Sequence, residues 1–433
     1  MSIQQNFPGF SPSLNLNFAR SKRLDPRVTF VRQTGATVTN ELGLLERVGN
    51  NIPRFDHVYD ASTGAVRSLG LLIEEQRENL VDYSNDFTQL WSQPDIITAN
   101  DTISPDGTLN AAKVTNDSNT NNFNFAGYRV FAGTKTTYTY SFFIKDDDSG
   151  AFSIIVGTEQ FNSGTGTYAR NTFNFSTKTF TTFQYVGQES GYVTNQTYEE
   201  YPNGWFRIIT TFDTSSFTST QTQINFGFYQ GVYGSTSSYY QKSLYTWGHQ
   251  LEVGAFPTSY IPTTGLPTTR LADRATIDGQ NFSSWYNQIE GTYFISTKIA
   301  HTPNPNVAML FLVGNSAGAR VSIEQTTSNT LTEIITNSGS YFFQPSGGGI
   351  LSANEFRKTS LSYISTNGIT TIGTASNLST LADTASSIDV NKSMNILYLG
   401  RYTDTFYYLN GHIQQFVYYP RKISNSQLQQ LTR

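Results

Sequence analysis

Apolar side chains fall at every second position in segment after segment of this chain. Tyr138, Tyr140, Phe142 and Ile144 alternate with Thr139, Ser141 and Phe143. Phe206, Ile208, Thr210 and Phe212 alternate with Arg207, Ile209 and Thr211, and Ile224, Phe226 and Phe228 with Asn225 and Gly227. Farther on, Tyr293, Ile295, Thr297 and Ile299 alternate with Thr292, Phe294, Ser296 and Lys298. Period two with one apolar face is the pattern of a half-buried antiparallel strand. Turn signals separate the segments: Pro105-Asp106-Gly107, Asp146 to Gly150, and Pro202-Asn203-Gly204. Met309 to Val313 is a short continuous apolar run, as a strand buried on both faces would be. With 26 Tyr and 31 Phe but only 14% charged residues, the chain is expected to be all-β, in two antiparallel jelly-roll sandwiches. Ser424 to Gln427 reads as a capping box opening a short helix through Leu431.

The alternation stops between Trp247 and Ile277. Pro257, Pro262 and Pro267 lie there with Gly248, Gly254 and Gly265, so this stretch suits neither a central strand nor a helix interior. Residues 79–261 are therefore expected to form the first sandwich, 262–280 an exposed linker, and 281–433 the second sandwich. Residues 1–78, broken by Pro8, Pro12, Pro26 and Pro53, are expected to form an irregular attachment segment with short strands at Leu14–Phe18 and Val28–Arg32.

Composition excludes several functions. With no cysteine there are no disulfides, cysteine nucleophiles or cysteine-ligated zinc. The four histidines, His57, His249, His301 and His412, are far apart in sequence, which argues against a histidine metal site. A net charge of -4 gives no general attraction to nucleic acid or anionic membrane. No apolar run reaches the ~18 residues of a membrane span, and Met1 to Phe10 lacks the pattern of a signal peptide. No cofactor motif is present: there is no GxGxxG or GxxxxGK[ST], and Ser346 to Gly349 reads as a turn.

Saccharides are gripped by aromatic faces with polar neighbours. Trp205 and Trp247 sit in strand-like segments and are expected in the core, while Trp91 and Trp285 lie near domain starts as lids or staples. The expected ligand-binding residues are Tyr233, Tyr239 and Tyr240 in GVYGSTSSYYQ, and Tyr402 and Tyr407 in RYTDTFYYLN, beside Phe406 and Tyr408. Asp146, Asp147 and Asp148 read as a solvated turn rather than a calcium loop. Glu199 and Glu200 are adjacent, so on a strand they point to opposite faces and cannot flank one scissile bond. Gly314 to Gly318 fits GxSxG, but RVSIE follows it and alternates like a strand, so a hairpin is expected there instead of a nucleophile elbow.

The first ninety positions carry LNLNFARSKRLDPRVTFVRQTGAT, IPRFDH and GLLIEEQRENLVDYS in that order; WGHQLEVGAFPTSYIPTTG and TRLADR follow later. This series resembles structural proteins of tailed-bacteriophage virions. Asn203 to Ile208, NGWFRI, resembles carbohydrate-binding-module-like jelly rolls, and the ending Gly411 to Arg421 resembles concanavalin-A-like (laminin-G-like) ones. The resemblance implies a virion protein made in the host cytoplasm. It would be a tail fibre or tailspike component, trimeric, joined to other virion proteins and contacting host surface polysaccharide without catalysis. The alternative is a capsid decoration protein with no ligand of its own.

Overall fold

The alternating segments pair as their pattern requires, and the chain is all-β. The computed structural model describes residues 9, 11–89, 96–117, 126–131, 135–158, 167–187, 190–217, 223–232, 239–300, 307–315, 319–325, 331–337, 340–341, 355–366, 369–376, 379–386, 393–402 and 407–433. Two antiparallel sandwiches are built from these residues.

In the first sandwich, a proximal sheet runs in the order Val193–Tyr201, Trp205–Asp213, Thr137–Asp146, Ser243–Val253, Leu109–Thr115, Ile96–Ile103. A distal sheet runs Ala126–Phe131, Gln223–Gln230, Ala151–Thr158, Tyr168–Asn174, Thr179–Phe180, with Gln184–Val186 also on Tyr168–Asn174. Tyr138, Tyr140, Phe142 and Ile144 turn inward as the alternation predicts and meet Phe152, Phe226 and Phe228 of the distal sheet. His249 lies in this core. Its Nδ1 is 2.8 Å from the Tyr140 hydroxyl and its Nε2 2.8 Å from Thr246 Oγ1. Its ring stacks on Phe87 and Phe142, with centroids 4.7 and 5.2 Å away.

The second sandwich has a large sheet, in the order Ser379–Ser386, Ile369–Ser376, Phe356–Thr366, Glu290–Ile299, Gly411–Tyr419, Ala65–Ile73, Phe55–Asp60. Leu14–Asn17 also pairs with Gly411–Tyr419, Leu14 opposite Tyr418. The facing sheet runs Thr29–Val31, Arg274–Asp278, Ile396–Leu399, Ala308–Gly314, Arg320–Gln325, Leu331–Asn337, Ser340–Tyr341. The expected hairpin is present, with Val313 opposite Val321 and an antiparallel strand, not a helix, following the GxSxG stretch; residues 316–318 lie outside the described set. The terminal helix Asn425–Thr432 opens on the predicted capping box and buries Leu428 and Leu431 against Phe294 and Tyr419.

Two expectations are corrected here. Residues 1–78 do not form a separate irregular segment: Leu14, Leu16, Phe18, Phe30, Leu71 and Ile73 are core residues of the second sandwich. Leu14–Asn17 and Thr29–Val31 are too short to stand alone and are completed by Gly411–Tyr419 and Arg274–Asp278, while Ala65–Ile73 lies between Gly411–Tyr419 and Phe55–Asp60. Residues 262–280 are not an exposed linker either. Thr268–Arg270 pairs with Arg77–Asn79, and Arg274–Asp278 lies between Thr29–Val31 and Ile396–Leu399. The prolines punctuate these strands without being part of them.

The outer face of the proximal sheet is also covered. Phe143, Trp205 and Trp247 point outward and pack with Leu45, Ala111 and Tyr260. Leu45 comes from the hairpin Ala36–Thr39/Leu45–Val48, and Tyr260 from the proline-rich stretch. Trp205 and Trp247 are thus buried as expected, but on the outer face of the proximal sheet, under the hairpin and the proline-rich stretch, and not inside the sandwich. Trp285 is a core residue of the second sandwich, against Phe282 and Tyr418, and Trp91 lies outside the described residues.

The position of His249 predicts a pH dependence. Burial pushes its imidazole pKa down to about 3, below the 6.5 of a free histidine. Between those values the unfolded chain binds one proton more, so stability falls as pH drops. From pH 7 to pH 5 the loss is about 2 kcal/mol. Urea unfolding of the wild type should show this difference, and His249→Gln should remove most of it; an equal pH dependence in the variant would refute the assignment.

Candidate functional site

Most of the quoted sequence series converges on one interior point between the sandwiches. Arg32 of TFVR, Arg54 of PRFDH, Glu74 of LLIEE, and Arg270 and Asp273 of TRLADR are all buried. Asp273 pairs with Arg32 Nη1 at 3.0 Å and with Arg54 Nη2, and accepts the Glu74 backbone N–H at 2.9 Å. Glu74 pairs with Arg54 at 2.8 Å and Arg270 at 3.4 Å, and accepts from Ser259 N (2.8 Å) and Ser259 Oγ (2.7 Å). Burial alone would raise the Glu74 pKa; Arg270, Arg54 and the Ser259 bonds outweigh it and hold the carboxyl well below its usual range. Gly70 lets Ala65–Ile73 reach this point: at φ +94°, a Cβ there would sit 2.2 Å from the Ile413 carbonyl oxygen.

The proline-rich stretch seals the polar outer face of the proximal sheet. Glu252 accepts from Thr258 N (3.0 Å), Thr258 Oγ1 (2.5 Å) and Gln250 Nε2 (2.7 Å), while Gln250 Oε1 accepts from Ile261 N (2.6 Å). Arg207 Nη2 donates to Thr258 O (2.7 Å) and Ser141 Oγ (3.1 Å). Asn79 ties both ends of the turn, donating to Ile261 O (2.8 Å) and His249 O (3.1 Å).

Beside this seal the sandwiches leave a cleft of about 420 Å³. Edge strand Val193–Tyr201 of the proximal sheet forms one wall, and the other is edge strand Phe55–Asp60 with the ends of Glu290–Ile299 and Gly411–Tyr419. Asn195, Thr197, Glu199, Tyr201 and Arg207 line the first wall; Asp56, His57, Lys298, Asn410 and His412 line the second. Asp56 accepts from Thr39 N (2.8 Å) and lies 2.8 Å from His412 Nε2. Burial raises the Asp56 pKa, but His412 and the Thr39 bond more than reverse this, so its carboxyl titrates below the ordinary value. His57 Nδ1 is 3.0 Å from Thr39 O. Glu200 pairs with Lys178 at 2.6 Å; Glu199 stands 3.8 Å from Arg207, with half its side chain exposed. Hydroxyls, amides, a tyrosine and both signs of charge thus face one another across a gap the size of a small-molecule pocket.

None of the tyrosines expected from sequence lines this cleft. Tyr233 and Phe406 lie outside the described residues. Tyr239 packs over Gly231, where an added Cβ would stand 2.1 Å from its ring. Tyr240 is exposed. Tyr402 lies beneath the Arg320 guanidinium, 4.7 Å from its ring centroid, with Tyr407 edge-on at 5.9 Å. Tyr407 is exposed and Tyr408 buried. Sequence reasoning missed Asp56 and His412 as a pair because 356 residues separate them. The available signal was local: two charged residues, Lys298 and Arg207, each sit inside an alternating strand where a neutral polar residue would serve.

No family model matches this sequence, and no curated protein matches it. Several solved structures are similar to part of this chain. The IT-sialidase CBM40 of Ruminococcus gnavus bound to α2,3-sialyllactose is 16% identical over 34% of this chain and 83% of its own, with a TM-score of 0.29. A mutant NanB sialidase from Streptococcus pneumoniae is 16% identical over 36% of this chain and 26% of its own, with a TM-score of 0.30. The receptor-binding domain of botulinum neurotoxin mosaic serotype C/D is 13% identical over 36% and 38%, with a TM-score of 0.24. Likeness of this depth carries no argument; the fold stands on the strand pairing described above.

The charge cluster makes a testable claim about stability. Replacing Asp273 by Asn leaves Arg32 and Arg54 buried with too little negative charge. The expected loss is about 3–5 kcal/mol of unfolding free energy in urea, followed by tryptophan fluorescence. A loss below about 1 kcal/mol, as for an exposed pair, would show that the cluster does not hold the sandwiches together.

Proposed function

We propose that this chain is a non-catalytic structural component of a tailed-bacteriophage virion, a tail fibre or tailspike part that contacts host surface glycan. The virion setting rests on the sequence series, whose residues build the join between the sandwiches. As a virion part it joins other virion proteins and assembles as a homotrimer. The observation that carries glycan contact is the cleft, with Asn195, Thr197, Tyr201 and Asn410 on facing walls. Polyhydroxylated ligands need such convergent donors and acceptors around a partly apolar floor. Exposed Tyr240 and Tyr407 add ring faces outside it.

The carboxylates support binding without cleavage. Asp56 is committed to His412 and Glu74 to the buried arginines, while Glu200 pairs with Lys178. Glu199 alone stands half-exposed in the cleft, and hydrolysis needs two carboxyl groups about 5–10 Å apart with different protonation.

The test combines location with binding. Gold-labelled antibody should mark the tail of the particle under electron microscopy. The purified protein should be retained on immobilised host polysaccharide with no rise in reducing ends. Thr197→Trp, which fills the cleft from its exposed wall, should weaken retention about tenfold or more, and Tyr407→Ala far less. Release of oligosaccharide would refute the non-catalytic reading. Label on the head together with no retention would favour the decoration protein.

A further inference from the structure

Among the described residues, Lys298 is a cation without an ion-pair partner in a cleft where Asp56, Glu199, Glu200 and Arg207 have one. It stands opposite His412 on the neighbouring strand, and both side chains line the cleft. Among the described residues it makes no ion pair and no side-chain hydrogen bond. Two carboxylates influence it from opposite walls. Asp56 is already held by His412 and Thr39, and Glu199 leans toward Arg207 at 3.8 Å. Burial pulls the Lys298 ammonium below the ordinary lysine pKa, and the attraction of Glu199 and Asp56 does not make up the difference. A half-buried charge without a partner costs stability, and an anion entering the cleft would supply what the protein leaves out.

We propose that the cleft takes an acidic saccharide, with a sugar carboxylate seated on the Lys298 ammonium. The inference rests on the glycan reading above and narrows it to sugars carrying a carboxylate. Hydroxyl groups of the same sugar meet Asn195, Thr197 and Asn410, which line the cleft with Lys298. Glu199, half-exposed on the opposite wall, works against the bound carboxylate and sets an upper limit on affinity.

The experiment titrates the full chain with trigalacturonate and with the neutral galactose trisaccharide, by calorimetry at low and high salt. The acidic trisaccharide should bind more tightly and lose affinity as salt rises. Lys298→Gln should weaken the acidic ligand about tenfold or more and the neutral one much less. Glu199→Gln should strengthen the acidic ligand severalfold, a gain that a folding defect cannot imitate. Equal affinities for the two trisaccharides, unchanged in Lys298→Gln, would overturn this proposal and leave the glycan reading intact. Retention on host polysaccharide with neither trisaccharide bound would do the same. Loss of all saccharide binding in the wild type would sink both.

Discussion

Five charges buried between two β-sandwiches determine how this chain is put together. Arg32, Arg54, Glu74, Arg270 and Asp273 come from distant parts of the sequence, and each alone would be costly in a dry interior. Arginine suits the task because its planar fork is satisfied in several directions. Arg32 donates from Nε to Thr34 O and from Nη2 to Gly49 O and Ile52 O, besides meeting Asp273. A register that misplaced any one segment would strand a charge. The cluster therefore acts as a discriminator among arrangements more than as a source of net stability.

The cleft follows from this join. The apolar contact of Phe143, Trp205, Trp247 and Tyr260 closes one side of the proximal sheet. The edge strands Val193–Tyr201 and Phe55–Asp60 are held close without pairing, and their side chains face each other across the gap. The glycan contact proposed for the cleft would need a wall from each sandwich to hold its position before a ligand arrives.

The fold class was legible because period two survives in single strands. Tyr138 to Ile144 reads correctly without any knowledge of its partners. Phe143, an apolar residue on the face that should be polar, was a sign that this face is covered. The N-terminal strands were harder: Leu14–Asn17 and Thr29–Val31 have four and three residues, and their place depends on pairing that no local pattern encodes. The prolines near residue 262 mark turns, but buried turns tied by Glu252, Gln250 and Asn79 look the same in sequence as exposed ones. For the same reason the cleft was not visible in the sequence. Exposed tyrosines in polar loops are visible in a sequence, whereas a cleft built by Asp56, Glu199, Lys298 and His412 exists only after the sandwiches dock.

Pairing of Leu14–Asn17 with Gly411–Tyr419 has a consequence for synthesis on the ribosome. The first sandwich draws its strands from one continuous stretch, Ile96 to Val253, and can close while the rest is still being made. The N-terminal strands cannot. Gly411–Tyr419, the partner of Leu14–Asn17, is made about 400 residues later, so Leu14, Leu16 and Phe18 wait with their apolar faces uncovered until it emerges. Nascent chains on a crowded polysome would carry those faces side by side, where pairing with a neighbouring chain competes with pairing at home.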